Sequence, residues 1–212
     1  MKRYSKPALA ALLMAWSALT MGLAADHAAP TITLRVVNVA KAAQRNVLHA
    51  ETVATWILGR AGVKAVWLNC PMVESGEDLN CSPAAGPSGF WVRIVADAPR
   101  DRSRTALGWA TLDGSSGSGD LVTVSYAMVS AIAEASRVDV SEILGAAMAH
   151  EIGHLLLGAG HSPDGVMAAV WDDGHFRRLA TGRLDFTSEQ AARMRSAIAG
   201  RATGTAVALA AE

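Results

Sequence analysis

The sequence predicts an α+β fold of five strands, a helix backing them, a second helix that carries a histidine motif, and a C-terminal helix. Three observations lead there. Five short runs are rich in β-branched residues or alternate apolar with polar ones. Longer stretches repeat apolar residues at helical spacing and close on glycine. Of the 212 residues 51% are apolar and 18% charged, with zero formal net charge, which is the profile of one globular domain.

In chain order, residues 31–39 read as the first strand. Residues 46–58 set Val47, Leu48, Val53, Ile57 and Leu58 at helical spacing, and Gly59 and Gly62 suit the end of that helix. Residues 63–68 and 90–96 are the second and third strands. Residues 97–104 form a charged turn. A weaker fourth strand covers 106–112, and the Gly/Ser-rich stretch 113–120 is a loop. Residues 121–126 are the fifth strand and 127–136 a short helix. A long helix covers 139–157. Asp139 and Glu142 have the spacing of a capping box at its start, and Gly158 can end it in a left-handed cap. Beyond Met167 the chain reads as irregular to about Leu184. Thr187 or Ser188 then caps a last helix over 189–199.

The N-terminus reads as a secretory signal. Lys2, Arg3 and Lys6 precede an uncharged apolar stretch, and Gly22-Leu23-Ala24 offers small residues for cleavage. The stretch is short for a membrane span. The expected organisation is a signal over 1–24, one domain over 25–202 and a loose tail over 203–212. Removing the signal takes three of the 19 basic residues and none of the 19 acidic ones, leaving a charge of −3. No stretch concentrates Lys and Arg, so no nucleic-acid partner is expected. No membrane partner is expected once the signal is gone, and the chain is expected to be a monomer. The only cysteines, Cys70 and Cys81, read as a disulfide formed in an oxidising compartment. Closing so short a loop contributes about 2–3 kcal/mol in the chain-entropy account.

Three of the six histidines, His150, His154 and His161, fall within twelve consecutive residues. His150 and His154 are four apart on the long helix, so both rings project from one face. Two such imidazoles can grip a Zn²⁺ ion at about 2.0–2.1 Å. Glu151 sits about 100° round the helix, within reach of a water but outside the ligand set. Three polar side chains interrupt an otherwise apolar helix, and burying them without partners would cost several kcal/mol. A catalytic zinc takes three protein ligands and keeps a position open. His161 follows the flexible Gly158-Ala159-Gly160 and is the expected third ligand. Asp164, His175 and, less readily, Glu189 are the alternatives.

The segment His150-Glu151-Ile152-Gly153-His154, followed by Gly158-Ala159-Gly160-His161 and Gly165-Val166-Met167, resembles the metzincin clan of zinc endopeptidases, its matrixin-like members above all. The family pattern is H-E-x-x-H-x-x-G-x-x-H with a methionine turn beyond it. One residue is added here: Leu157 stands in the glycine slot and Gly160 in the histidine slot, while the unit Gly-x-x-His survives as Gly158 to His161. The resemblance implies a zincin-like fold, with a twisted mixed five-stranded sheet over a backing helix and an active-site helix. It implies one catalytic zinc on His150, His154 and His161, and Met167 as the floor of the methionine turn. It also implies a peptide or protein substrate laid along an edge strand, here Ala106, Leu107, Gly108, Trp109 and Ala110, beside a pocket lined from Met167 to Trp171. The activity that follows is that of a secreted endopeptidase using a zinc-activated water, with Glu151 as general base. The alternatives are a secreted module with a purely structural zinc and a zinc hydrolase of a non-protein substrate.

Overall fold

A computed structural model describes residues 29–71, 81, 88–98, 106–114 and 119–209, with side chains to 203. The expected signal peptide, most of the cysteine-bracketed loop, and parts of the 97–104 turn and the 113–120 loop lie outside the described residues.

Among the described residues the fold is mixed α+β, with a five-stranded, mostly parallel sheet and five helices. The strands are β1 (Thr31–Asn38), β2 (Lys64–Asn69), β3 (Gly89–Val95), β4 (Gly108–Thr111) and β5 (Leu121–Ser125). Their order across the sheet is β2-β1-β3-β5-β4. The first four in that order run parallel, and β4 pairs antiparallel to β5. The chain therefore overshoots β5's place to make β4, then returns. This leaves β4 at an open edge. The core strands show the apolar pattern of sheet faces covered by helices: Ile32, Leu34, Val36, Phe90, Val92, Ile94, Val122 and Val124 are all buried.

Helix α1 (Gln44–Arg60) joins β1 to β2 and packs against the motif helix. Helix α2 (Tyr126–Ser136) follows β5 directly, with the Ser125 hydroxyl accepting from the Met128 amide. Helix α3 (Val140–Leu157) carries the histidine motif. It is apolar on every side, and α1, α2, α5, β4 and β5 all pack on it, as a helix at the centre of a domain must. Its N-cap is Asp139, but the expected box with Glu142 is replaced by a single cap in which the Ser141 amide donates to Asp139 Oδ1 at 2.8 Å. Helix α5 (Ser188–Leu209) starts on a reciprocal box: Gln190 N–H donates to Thr187 Oγ1 and Thr187 N–H to Gln190 Oε1. The helix passes Thr203, where a loose tail was expected. From α5, Arg193 donates to the Leu157 carbonyl and Arg201 to that of Leu155. These are acceptors of the last turn of α3, which has no following turn to use them.

The irregular stretch expected after Met167 is corrected at one point. Helix α4 (Asp173–Ala180) lies within it, opened by a capping box between Asp172 and His175. Cys70 and Cys81 are disulfide-bonded, with 11 residues' separation and a Cα–Cα distance of 5.8 Å. Such a bond belongs to an oxidising, exported setting. Among the described residues no helix is long and apolar enough to cross a membrane.

Candidate metal centre

His150 and His154 leave α3 one turn apart and their Nε2 atoms lie 3.1 Å from each other. Each ring is anchored through its other nitrogen. His150 Nδ1–H donates to the Val166 carbonyl at 2.7 Å, and His154 Nδ1–H to the Gly158 carbonyl at 2.9 Å. A carbonyl only accepts, so both protons sit on Nδ1 and both Nε2 atoms present lone pairs. Two lone pairs at that distance repel unless a cation lies between them. Two ligands about 2.05 Å from a tetrahedral ion would be about 3.3 Å apart, close to the observed spacing.

His161 completes the set. Its ring centroid is 5.4 Å from that of His150 and 4.8 Å from that of His154. One ligand atom from each of the three lies within 4.8 Å of the others. The route to this position depends on Gly158, which ends α3 at φ 92°, ψ −172°, a region that only glycine enters freely. The chain leaves the helix there, and the residue added relative to the family pattern falls within the last turn of α3, which runs to Leu157. His154 is buried, His150 half-buried and His161 exposed. Burial is the main reason that the His150 imidazolium is disfavoured, its pKa falling from 6.5 to about 4; the neighbouring histidines add to the effect. The neutral, ligating form is thus favoured. His154 is lowered too, again chiefly by burial.

Two of the alternative ligands, His175 and Asp164, are engaged elsewhere. His175 Nδ1 lies 2.6 Å from Asp172 Oδ1, and its Nε2 is 3.4 Å from Asp164 Oδ1. Asp164 also takes a 2.5 Å hydrogen bond from Arg178. Neither of these residues, nor Glu189, belongs to the histidine cluster; among the described residues no other His, Cys, Asp and Glu group converges in this way. His49 is exposed and bonds Ser141 Oγ, so it is a surface residue with a partner. His27 lies outside the described residues. Cys70 is bonded to Cys81 and offers no free thiol to a metal.

The cluster opens into a cleft of about 580 Å³. Ala106, Leu107, Gly108, Trp109 and Ala110 form one wall, and Ala168, Ala169, Val170 and Trp171 another, with Ile132 and Phe176 also lining it. Met167 is not part of that lining, contrary to expectation. It is buried beneath the motif, so close to α3 that a Cβ on Gly153 would lie 2.5 Å from its Sδ. Its neighbour Val166 supplies the carbonyl that orients His150, and the Trp171 indole N–H donates to the same oxygen at 3.2 Å.

Glu151 lines the cleft beside the histidines. Burial pushes its carboxyl from 4.5 up to about 8, against one backbone hydrogen bond from Ala110. The site thus unites three nitrogen donors, one buried carboxyl and a largely apolar cleft. That arrangement can hold a metal ion of borderline softness and move a proton next to it.

The sequence reading missed the contributions of the Gly158 and Val166 carbonyls and of Phe176. Backbone acceptors carry no mark in a sequence, and Phe176 sits on the helix that was not expected. The chain matches no model of a known protein family, and no curated protein matches it.

Proposed function

We propose that this protein is a zinc-dependent endopeptidase of zincin-like, metzincin-related architecture that works in an oxidising compartment after export. The single observation that supports this most is the pair of Nε2 lone pairs on His150 and His154, held 3.1 Å apart with His161 closing the set and Glu151 in the same cleft. His150, His154 and His161 would hold the ion. When bound, zinc supplies Lewis acidity that polarises a carbonyl and acidifies water.

The chain's own residues do the rest. Glu151 takes a proton from the attacking water as that water's oxygen joins the scissile carbonyl carbon. It passes the proton to the departing amine as the C–N bond breaks. The apolar cleft walls exclude competing solvent. The open edge of β4, residues 106–110 and their neighbours, offers main-chain groups to an extended peptide, which fits a substrate read by its backbone more than by its side chains. The buried setting of Glu151 suits a group that must both accept and return a proton near neutral pH.

Hydrolysis of a quenched fluorescent peptide library by the zinc-loaded chain tests this reading. Wild type should cleave internal bonds, and Glu151→Gln should keep its zinc and lose nearly all cleavage. Full activity in that variant, or zinc binding with no hydrolysis by wild type, would contradict the proposal, the second result favouring a structural zinc.

A further inference from the structure

Strand β4 presses on the motif helix, and the contact falls on Glu151. A Cβ placed on Gly108 would lie 2.9 Å from Glu151 Cγ, 3.1 Å from its Oε1 and 2.6 Å from the Thr123 carbonyl oxygen. Real side chains do not approach so closely, and interiors are packed too densely to yield freely. Thr123 is the residue paired with Trp109 on β5, so β4 cannot retreat from one contact without breaking its own ladder.

The ladder supplies a second, independent observation. Ser125 N–H donates to the Leu107 carbonyl at 2.8 Å, and the register continues Trp109↔Thr123 and Thr111↔Leu121. In an antiparallel pair the hydrogen-bonding residues alternate. The amides and carbonyls of Gly108 and Ala110 are therefore turned away from β5, toward the open edge. On that side the Ala110 amide is near enough to Glu151 to favour its carboxylate against the effect of burial. Glu151 is buried, so water cannot easily replace that donor.

We propose that Gly108 and Ala110 are positioning residues for Glu151: the missing side chain at 108 leaves the space the glutamate occupies, and the outward amide of 110 fixes where its carboxylate points. The kinetic consequence rests on the peptidase reading above; the placement itself is a property of the chain and is tested without it.

Amide hydrogen exchange on the metal-free protein reads the placement. The Ala110 amide should be protected in wild type although it is outside the β4–β5 ladder. It should exchange roughly tenfold faster or more in Glu151→Ala, while Trp109 and Thr111 keep wild-type rates; in Gly108→Ala, whose methyl also meets the Thr123 carbonyl, Trp109 should loosen with it. An unprotected Ala110 in wild type, or equal loosening of all three amides in Glu151→Ala, would overturn the proposal. Should Gly108→Ala fail to fold, the Glu151→Ala comparison decides alone.

Kinetics of the zinc-loaded enzyme read the consequence. Gly108→Ala should lower kcat by roughly tenfold or more at unchanged zinc content, with a smaller change in KM. The stability that the same change costs should be smaller in a Glu151→Ala background, which removes Cγ and the carboxyl alike, the Thr123 contact remaining in both. Equal stability losses in both backgrounds would mean that Gly108 does not act through Glu151. If wild type cleaves no peptide, the function proposed above fails, and the exchange experiment still decides this one.

Discussion

His150 and His154 face each other through Nε2 atoms 3.1 Å apart, while their Nδ1 atoms are tied to two different backbone carbonyls. One carbonyl, Gly158, ends the motif helix. The other, Val166, belongs to the turn that carries Met167. Ring orientation at the site is thus set by two pieces of backbone that the sequence places 4 and 16 residues from the histidines they serve. Disturbing either piece should be felt at the metal as well as in the fold.

Gly158→Ala tests the first piece. A Cβ there meets nothing within 4 Å, so crowding is not the issue. The cost is the backbone at φ 92°, roughly 1–3 kcal/mol for a residue with a side chain. The variant should unfold at lower temperature and lose zinc to a chelator more readily, as the carbonyl swings away from His154. Unchanged values on both measurements would show that this conformation is not required.

Gly153→Ala tests the second. In an exposed helix this change normally stabilises, by up to about 1 kcal/mol. Here the new methyl would sit 2.5 Å from Met167 Sδ and 2.9 Å from Phe186 Cε1. Overpacking of that kind costs roughly 1–3 kcal/mol. Denaturant unfolding should show destabilisation, and chelator competition should show weaker metal binding because the turn bearing Val166 is pushed away. A stabilised variant would refute this packing.

The metal-free protein should respond to pH from both sides. Burial raises Glu151 from 4.5 to about 8, so the folded chain keeps a proton that the unfolded chain has released. Stability therefore falls as pH rises from 4.5 to 8. His150 is lowered from 6.5 to about 4, so the unfolded chain takes a proton that the folded one refuses, and stability falls as pH drops from 6.5 to 4. Unfolding in chelator should show Glu151→Gln gaining on wild type steadily from pH 4.5 to 8. A difference that does not change with pH would contradict the burial of an ionisable group at 151.

Much of this was legible in the sequence, and what was not has physical reasons. The five strands and the helices α1, α2, α3 and α5 follow from periodicity and caps. The motif spacing alone places His150, Glu151 and His154 on one part of a helix. Periodicity is local, however, and is silent on the overshoot that puts β4 outside β5. Helix α4 was missed because Asp173–Ala180 is only two turns long and shows solvent Arg177, with Phe176 and Leu179 too few to mark a face. In hindsight its signal is Asp172 as a cap with Arg177 and Arg178 in the last turn. The choice of His161 over Asp164 and His175 rests on where one glycine turns the chain, which spacing leaves open. The contact between Gly108 and Glu151 joins residues 43 positions apart and is visible only in three dimensions.

Zinc titration of the chelator-stripped chain, followed by its single-histidine variants, tests the central claim most directly. The account predicts one ion per chain. His150→Ala, His154→Ala and His161→Ala should each weaken binding by more than roughly 100-fold, the upper end for losing an outer-sphere partner, while His175→Ala leaves affinity unchanged. No zinc uptake by wild type, or undiminished affinity in any of the first three variants, would contradict it.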